Sequence, residues 1–149
     1  MPPALVLTST HTLESLTVPP WQDGAGRDAA LARVAHVLRD HRTGREHAMD
    51  PALLDLLVAV AAGCGVAPRF AVISGYRSPE TNAALHARSA GVSAHSLHME
   101  GRAIDVRLAG CATARLRDIA LALGRGGVGY YRSLDFVHLD TGRVRRWTG

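Results

Sequence analysis

The sequence predicts one α+β domain, with a small antiparallel sheet flanked by helices. Three observations predict it. The chain has 149 residues, within the usual length of one domain (about 100–200 residues). It is 47% hydrophobic and 20% charged, a globular composition. Helical periodicities fill most of the first two thirds, whereas short strand patterns cluster at the end, an order that favours α+β over a doubly wound parallel sheet. No internal repeat and no linker long enough to divide the chain is visible.

The elements follow from local pattern. Leu5, Val6 and Leu7 form a short strand, followed by turns that Pro19-Pro20 closes. Asp28 to Arg39 reads as a helix with Leu31, Val34, Ala35 and Leu38 on one stripe. Asp40 to Asp50 is a polar loop. Asp50-Pro51 then supplies an N-cap and a first-turn proline to a helix that buries Leu53, Leu54, Leu57 and Val60 and ends near Gly63 or Gly65. Phe70 to Ser74 reads as a buried strand. Ser78-Pro79 opens a helix ending near Ser89 to Gly91, and Arg102 to Leu108 is a strand with a mixed face. Thr113 to Leu123 is a helix closed by Gly124. Strands are expected at Val128 to Tyr131, Phe136 to Asp140 and Val144 to Trp147, with Thr141-Gly142 as the turn joining the last two.

Composition removes several chemistries. All 17 basic residues are Arg, so no P-loop lysine, Schiff-base lysine or Ser–Lys pair exists. The net charge of +4 would attract polyanions, among them nucleic acid, anionic lipid and acidic wall polymer. Aromatic residues make up 5%, and no helix-turn-helix pattern is present, which argues against nucleic-acid binding. The longest apolar run, Leu53 to Val66, is broken by Asp55 and glycines and is too short to cross a membrane. The start, Met1-Pro2-Pro3, shows no signal-peptide pattern, as expected of an internal protein or of a chain whose targeting segment has been removed. Cys64 and Cys111 are the only cysteines, too few for a four-thiolate zinc site. Each sits among alanines and glycines and reads as a small core residue, and the two could pair if the protein is exported.

The chemistry concentrates in two segments. In Ser96 to Asp105, His98 and Asp105 are seven residues apart. On one helix they would stand about 10 Å apart along the axis, so they can share a metal only if the chain turns between them. Gly101 is the residue for that turn. Asp105 interrupts the apolar run Ala103 to Val106 and needs a partner, either a metal or a neighbouring arginine, Arg102 or Arg107. In Asp135 to Asp140, strand alternation puts Phe136, His138 and Asp140 on one face. His98, Asp105 and His138 would suit zinc, with a fourth position left open; the alternative is solvated polar residues on strands.

Ser96 to Asp105 fits SxHxxGxAxD at every fixed position, and Ser74 to Ser78 reads SGYRS. Both resemble the D-alanyl-D-alanine carboxypeptidase and dipeptidase family of zinc peptidases. Gly126 to Tyr131, Phe136 to Asp140, Gly142 to Trp147, His11 to Ser15 and Arg39 to Gly44 resemble its murein endopeptidase K subgroup, periplasmic enzymes that cut peptidoglycan crosslinks. The resemblance covers nearly the whole chain. It implies a Hedgehog/DD-peptidase-like fold and one zinc ion held by His98, Asp105 and His138. It makes Asp135, three residues before the last ligand, the general base, and it makes Arg77 the group that holds an oxyanion or a substrate carboxylate. Residues three apart on a regular strand point to opposite faces, so Asp135 needs a bend to reach the metal; Asp140 is the alternative base. Ser74, Tyr76, Ser78, Asn82 and His95 are expected to line the cleft, with packing as the other reading of Tyr76.

His11, His36, His41, His47 and His86 are read as surface or helix-face residues, and Trp21 and Trp147 as core or groove wall. The expected partner is a peptidoglycan peptide and the expected oligomeric state is a monomer. The resemblance implies a periplasmic location. Carboxypeptidase or dipeptidase action on a free D-Ala end and a non-catalytic wall-binding module are the alternatives.

Overall fold

The computed structural model describes residues 3–20 and 25–149, so Trp21 lies outside the described residues. It contains strands β1 (Leu5–Ser9) and β2 (Ser15–Val18), helices α1 (Ala25–Val37) and α2 (Pro51–Cys64), strand β3 (Arg69–Ser74), helix α3 (Pro79–Arg88), a 3-10 turn (Leu97–Glu100), strand β4 (Ala103–Leu108), helix α4 (Thr113–Leu123) and strands β5 (Gly127–Tyr131), β6 (Phe136–Asp140) and β7 (Arg145–Thr148).

The α+β class holds, but the sheet is neither small nor antiparallel. It has seven strands in the order β2-β1-β3-β4-β6-β5-β7. β1 runs parallel to β3 and β7 parallel to β5, and the other pairs are antiparallel. The chain after Thr141 therefore does not fold back onto β6. It crosses past β5 and adds β7 at the far edge, on the other side of β5. β2 went unread because only Leu16 and Val18 of its four residues are apolar, as an edge strand permits.

The core lies on one face of this sheet. α2 starts where Asp50 accepts a hydrogen bond from the Ala52 N–H at 3.0 Å, and it ends on the left-handed cap Gly65. It buries Leu53, Leu54, Leu56, Leu57, Val60, Ala61 and Cys64. These pack with Val34 of α1 and Leu38 just after it, Leu116 and Ala120 of α4, and Ile104, Val106, Val137 and Leu139 of the central strands. By alternation, Asp105 and His138 stand on the opposite face.

One polar residue in the loop after α1 fixes the approach to that face. Asp40 is 2% exposed. Its Oδ1 accepts from the N–H groups of Arg42 and Thr43, and its Oδ2 accepts from the Ser78 N–H at 2.9 Å and the Ser78 hydroxyl at 2.8 Å. Burial would raise its pKa, but these donors, with Thr81, hold it well below the usual carboxylate range. His36 is a surface residue facing Glu14 and Glu46, whereas Asp40, four residues later, turns inward to the start of α3.

Asp40→Ala leaves the Ser78 donors unpaired, and we expect it to cost about 3 kcal/mol of unfolding free energy in a urea titration. Because the folded-state pKa is depressed, the charge of Asp40 contributes stability above its unfolded value. That contribution is lost as pH falls through the acid range. The wild type should lose more stability than Asp40→Ala on acidification below about pH 5.

Candidate metal centre

The motif SxHxxGxAxD is a sequence of local structural solutions. Ser96 caps the 3-10 turn, its hydroxyl accepting from the His98 N–H at 3.2 Å. Gly101 ends the turn at φ +69°, where a Cβ would also collide with the Ala48 carbonyl oxygen. Its own carbonyl accepts from the Asp50 N–H, tying the turn to the start of α2. The chain then enters β4 through the fully buried Ala103 and reaches Asp105.

The register of the sheet does the rest. Ser74 pairs with Asp105, Asp105 with His138, His138 with Gly129, and Gly129 with Trp147, making one row across five strands. Gly129 has no side chain to fill its place; a Cβ there would lie 2.5 Å from the Trp147 ring. The Trp147 ring therefore lies across it, with its centroid 5.0 Å from that of His138. One row over, Gly127 leaves room for Arg145 against Asp140; a Cβ would lie 2.6 Å from the Asp140 Oδ2. The glycines of the Gly126 to Tyr131 segment thus form a trough that two β7 side chains occupy.

His98, Asp105 and His138 are all buried and each offers a ligand atom within 4.8 Å of the others. His98 Nδ1 donates to the Gly75 carbonyl at 2.8 Å, which fixes the tautomer and leaves Nε2 facing the Asp105 Oδ1 at 3.3 Å. Burial pushes the His98 pKa down, toward the neutral form that ligates metals. His138 lies between two carboxylates: Nδ1 is 3.0 Å from the Asp105 Oδ1 and Nε2 is 2.7 Å from the Asp140 Oδ2. Burial alone would lower its pKa, but Asp105 and Asp140 outweigh burial and lift it to about 9. Asp105, despite its own burial, is held below the usual range by His98 and His138.

This donor set fits zinc: two imidazoles, oriented by hydrogen bonds to Gly75 and Asp140, and one carboxylate. Asp140 is the second support. It is fully buried and accepts from His138, from the N–H groups of Gly127 and Gly142, and from both terminal nitrogens of Arg145. With its oxygens so occupied, it orients the His138 ring and is not placed to act as a base.

The triad opens onto a cleft of about 630 Å³. Its lining combines the polar Arg77, Ser93, His95 and Ser96 with Tyr131, Leu134, Phe136 and Trp147. Trp147 donates its indole N–H to the Tyr131 hydroxyl at 2.9 Å, and Tyr131 stacks on Phe136 at 4.6 Å. Arg77 reaches Asn82 at 3.1 Å and lies 4.0 Å from the Asp105 Oδ2. Its buried Nε makes no hydrogen bond.

Other expected site residues are placed elsewhere. Asp135 does stand at a bend, at φ +56° before β6. The bend turns its carboxylate toward α4, where the Thr113 hydroxyl donates to it at 2.6 Å, and it does not line the cleft. Ser78 is fully buried on Asp40, and Tyr76 packs in the core against His47. Ser74 sits in the Asp105 row but outside the cleft lining. His95 does line the cleft, and Asn82 orients Arg77 from behind. Tyr131, Phe136 and Arg145 were missed as wall residues. Phe136 carried a signal, since alternation puts it on the His138 face; Tyr131 and Arg145 become readable once the β5–β7 pairing is known.

Asp140→Asn is expected to weaken zinc binding 10- to 100-fold, measured by competition with a chromophoric chelator, while the protein stays folded. Unchanged affinity would show that Asp140 does not orient His138.

No solved structure matches this chain significantly. Curated proteins do. "Peptidoglycan L,D-endopeptidase MepK" of Escherichia coli (strain K12) is 41% identical over 147 residues, covering 98% of this chain and 80% of that protein. The protein of the same name from Shigella flexneri matches to the same extent. "Probable peptidoglycan L,D-endopeptidase MepK" of Haemophilus influenzae is 41% identical over 122 residues, covering 81% of this chain and 66% of that protein. The profile of the family described as peptidoglycan L,D-endopeptidase MepK matches residues 2–147, a span that holds the capped 3-10 turn, the Asp105–His138 row and the aromatic wall, and the chain belongs to that family.

Proposed function

We propose that this chain is a zinc peptidase that hydrolyses amide bonds in peptidoglycan crosslinks, working outside the cytoplasm. The observation that carries the reading is the buried His98–Asp105–His138 cluster at the base of a cleft, in a chain of this family. No helix among the described residues is long and apolar enough to cross a membrane.

A zinc ion held by these three residues would supply a Lewis acid for the scissile carbonyl and lower the pKa of a water. The chain's own groups do the remaining work. Gly75 and Asp140 hold the two imidazoles in register. Arg77 stands beside Asp105 with an unpaired Nε, a guanidinium ready for an anionic oxygen of the substrate or of the developing tetrahedral carbon. His95, exposed on the cleft wall, is available to the peptide. Trp147, Tyr131 and Phe136 offer an apolar shelf for aliphatic side chains. An endopeptidase is favoured over a carboxypeptidase by the names of the family and its relatives. The general-base role that the resemblance implies for Asp135 requires its carboxylate to leave Thr113.

The direct test digests purified peptidoglycan with and without a zinc chelator and identifies the products by mass. One zinc per chain and chelator-sensitive loss of crosslinked dimers are expected; a zinc-loaded protein that cuts nothing would leave a binding module. Arg77→Ala is expected to keep zinc and lower turnover about 10²- to 10³-fold. Asp135→Ala is expected to keep zinc and lower turnover by less than about tenfold, since a true general base is worth more. A loss of two orders of magnitude or more would restore Asp135 as the base.

A further inference from the structure

The helix layer behind the sheet contains a pair of thiols that the metal centre does not use. Cys64 is the last residue of α2 and is 8% exposed. Cys111 lies in the turn between β4 and α4, bridged to Leu108, and is partly exposed. The sequence separates them widely, yet the fold packs the two segments together. A Cβ on Gly63 would lie 2.6 Å from the Ile119 Cγ2 of α4, and a Cβ on Gly110 would lie 3.5 Å from the Val66 Cγ1. Both contacts flank the cysteines, one on each side. Cys111 packs against the same core cluster that contains Cys64, and its thiol stands near enough to that of Cys64 to help raise the Cys64 pKa. Both are free thiols.

We propose that Cys64 and Cys111 form an oxidation site, which a small-molecule or protein disulfide closes into an intramolecular disulfide bond. Cys111, the more exposed partner, meets the oxidant first. Its thiolate attacks one sulfur of the oxidant's disulfide, forming a mixed disulfide and releasing the other sulfur as a thiol. Cys64 then gives up its proton and attacks the Cys111 sulfur, expelling the second thiol. Two protein thiols lose two electrons and two protons, and one oxidant disulfide becomes two thiols. Burial and the neighbouring Cys111 raise the Cys64 pKa, so the second step depends on adjacency and not on a ready thiolate.

The bond would close a loop that contains Arg77, His98 and Asp105 and leaves His138 outside. It would also brace the turn that leads into Thr113, the residue that holds Asp135. It forms on the face opposite the cleft, so it stabilises the chain without entering the site. The proposal is independent of the peptidase reading.

The test incubates the intact zinc-loaded protein with oxidised glutathione and then counts thiols after unfolding. The expected result is no free thiol, an unreduced peptide linking Cys64 to Cys111, a monomeric species, and a Tm raised on the order of 10 °C over the reduced protein. Dithiothreitol should reverse the shift, and Cys64→Ser and Cys111→Ser should each abolish it. Two free thiols after oxidation, a glutathione adduct without the crosslink, or disulfide-linked dimers would each overturn the proposal.

Discussion

A carboxylate buried in the face of a sheet has to be neutralised, and the site is organised around that demand. Asp105 is 6% exposed within a strand otherwise made of apolar residues and Arg107. Left alone, its charge would cost several kcal/mol or would take up a proton. The register sets His138 directly opposite it, the 3-10 turn brings the His98 Nε2 to it, and the loop pinned by Asp40 brings Arg77. The excess of negative charge at Asp105 and Asp140 is met by a proton on His138 when no metal is bound, with Arg145 on the far side of Asp140. A divalent cation can replace that proton, because its charge falls where the carboxylate already waits. Assembly and function thus draw on one electrostatic requirement.

Much of this was legible in the sequence because the relevant signals are local. The Ser96 cap, the Gly101 turn and the lone Asp105 in an apolar strand lie within ten residues, and a buried carboxylate there demands a partner. The start of α2 was equally plain from Asp50-Pro51, and its end was narrowed to Gly63 or Gly65, of which Gly65 is the cap. The three metal-ligand positions came from such local signals together with the family motif, and the structure clusters them.

What was not legible depends on partners distant in sequence. Asp40 looks like any loop carboxylate until Ser78, 38 residues later, is seen donating to it twice. Asp140 looks like a spare base on the His138 face until its oxygens are found already accepting from Gly127, Gly142 and Arg145. Asp135 needed a bend to reach the metal and stands at one, but the direction of a bend depends on what stands beyond it, and here that is the Thr113 hydroxyl. The turn at Thr141-Gly142 pointed to a hairpin, whereas the segment adds in parallel to β5. The pairing is decided by the gaps at Gly127 and Gly129 into which Arg145 and Trp147 fit, a complementarity that periodicity does not record.

The order of the sheet leaves two open edges, β2 and β7. An unpaired edge offers its backbone to any extended chain, and a protein proposed to handle extended peptides is exposed to that hazard. The two edges are guarded differently. β2 is short and runs into Pro19-Pro20, where neither residue has an N–H to give a new neighbour. β7 is equally short and carries a pair of guanidiniums, Arg145 turned inward to Asp140 and Arg146 exposed. A second copy of β7 docking there would bring like charges together, so strand addition is discouraged beside the cleft while the cleft itself stays open to substrate.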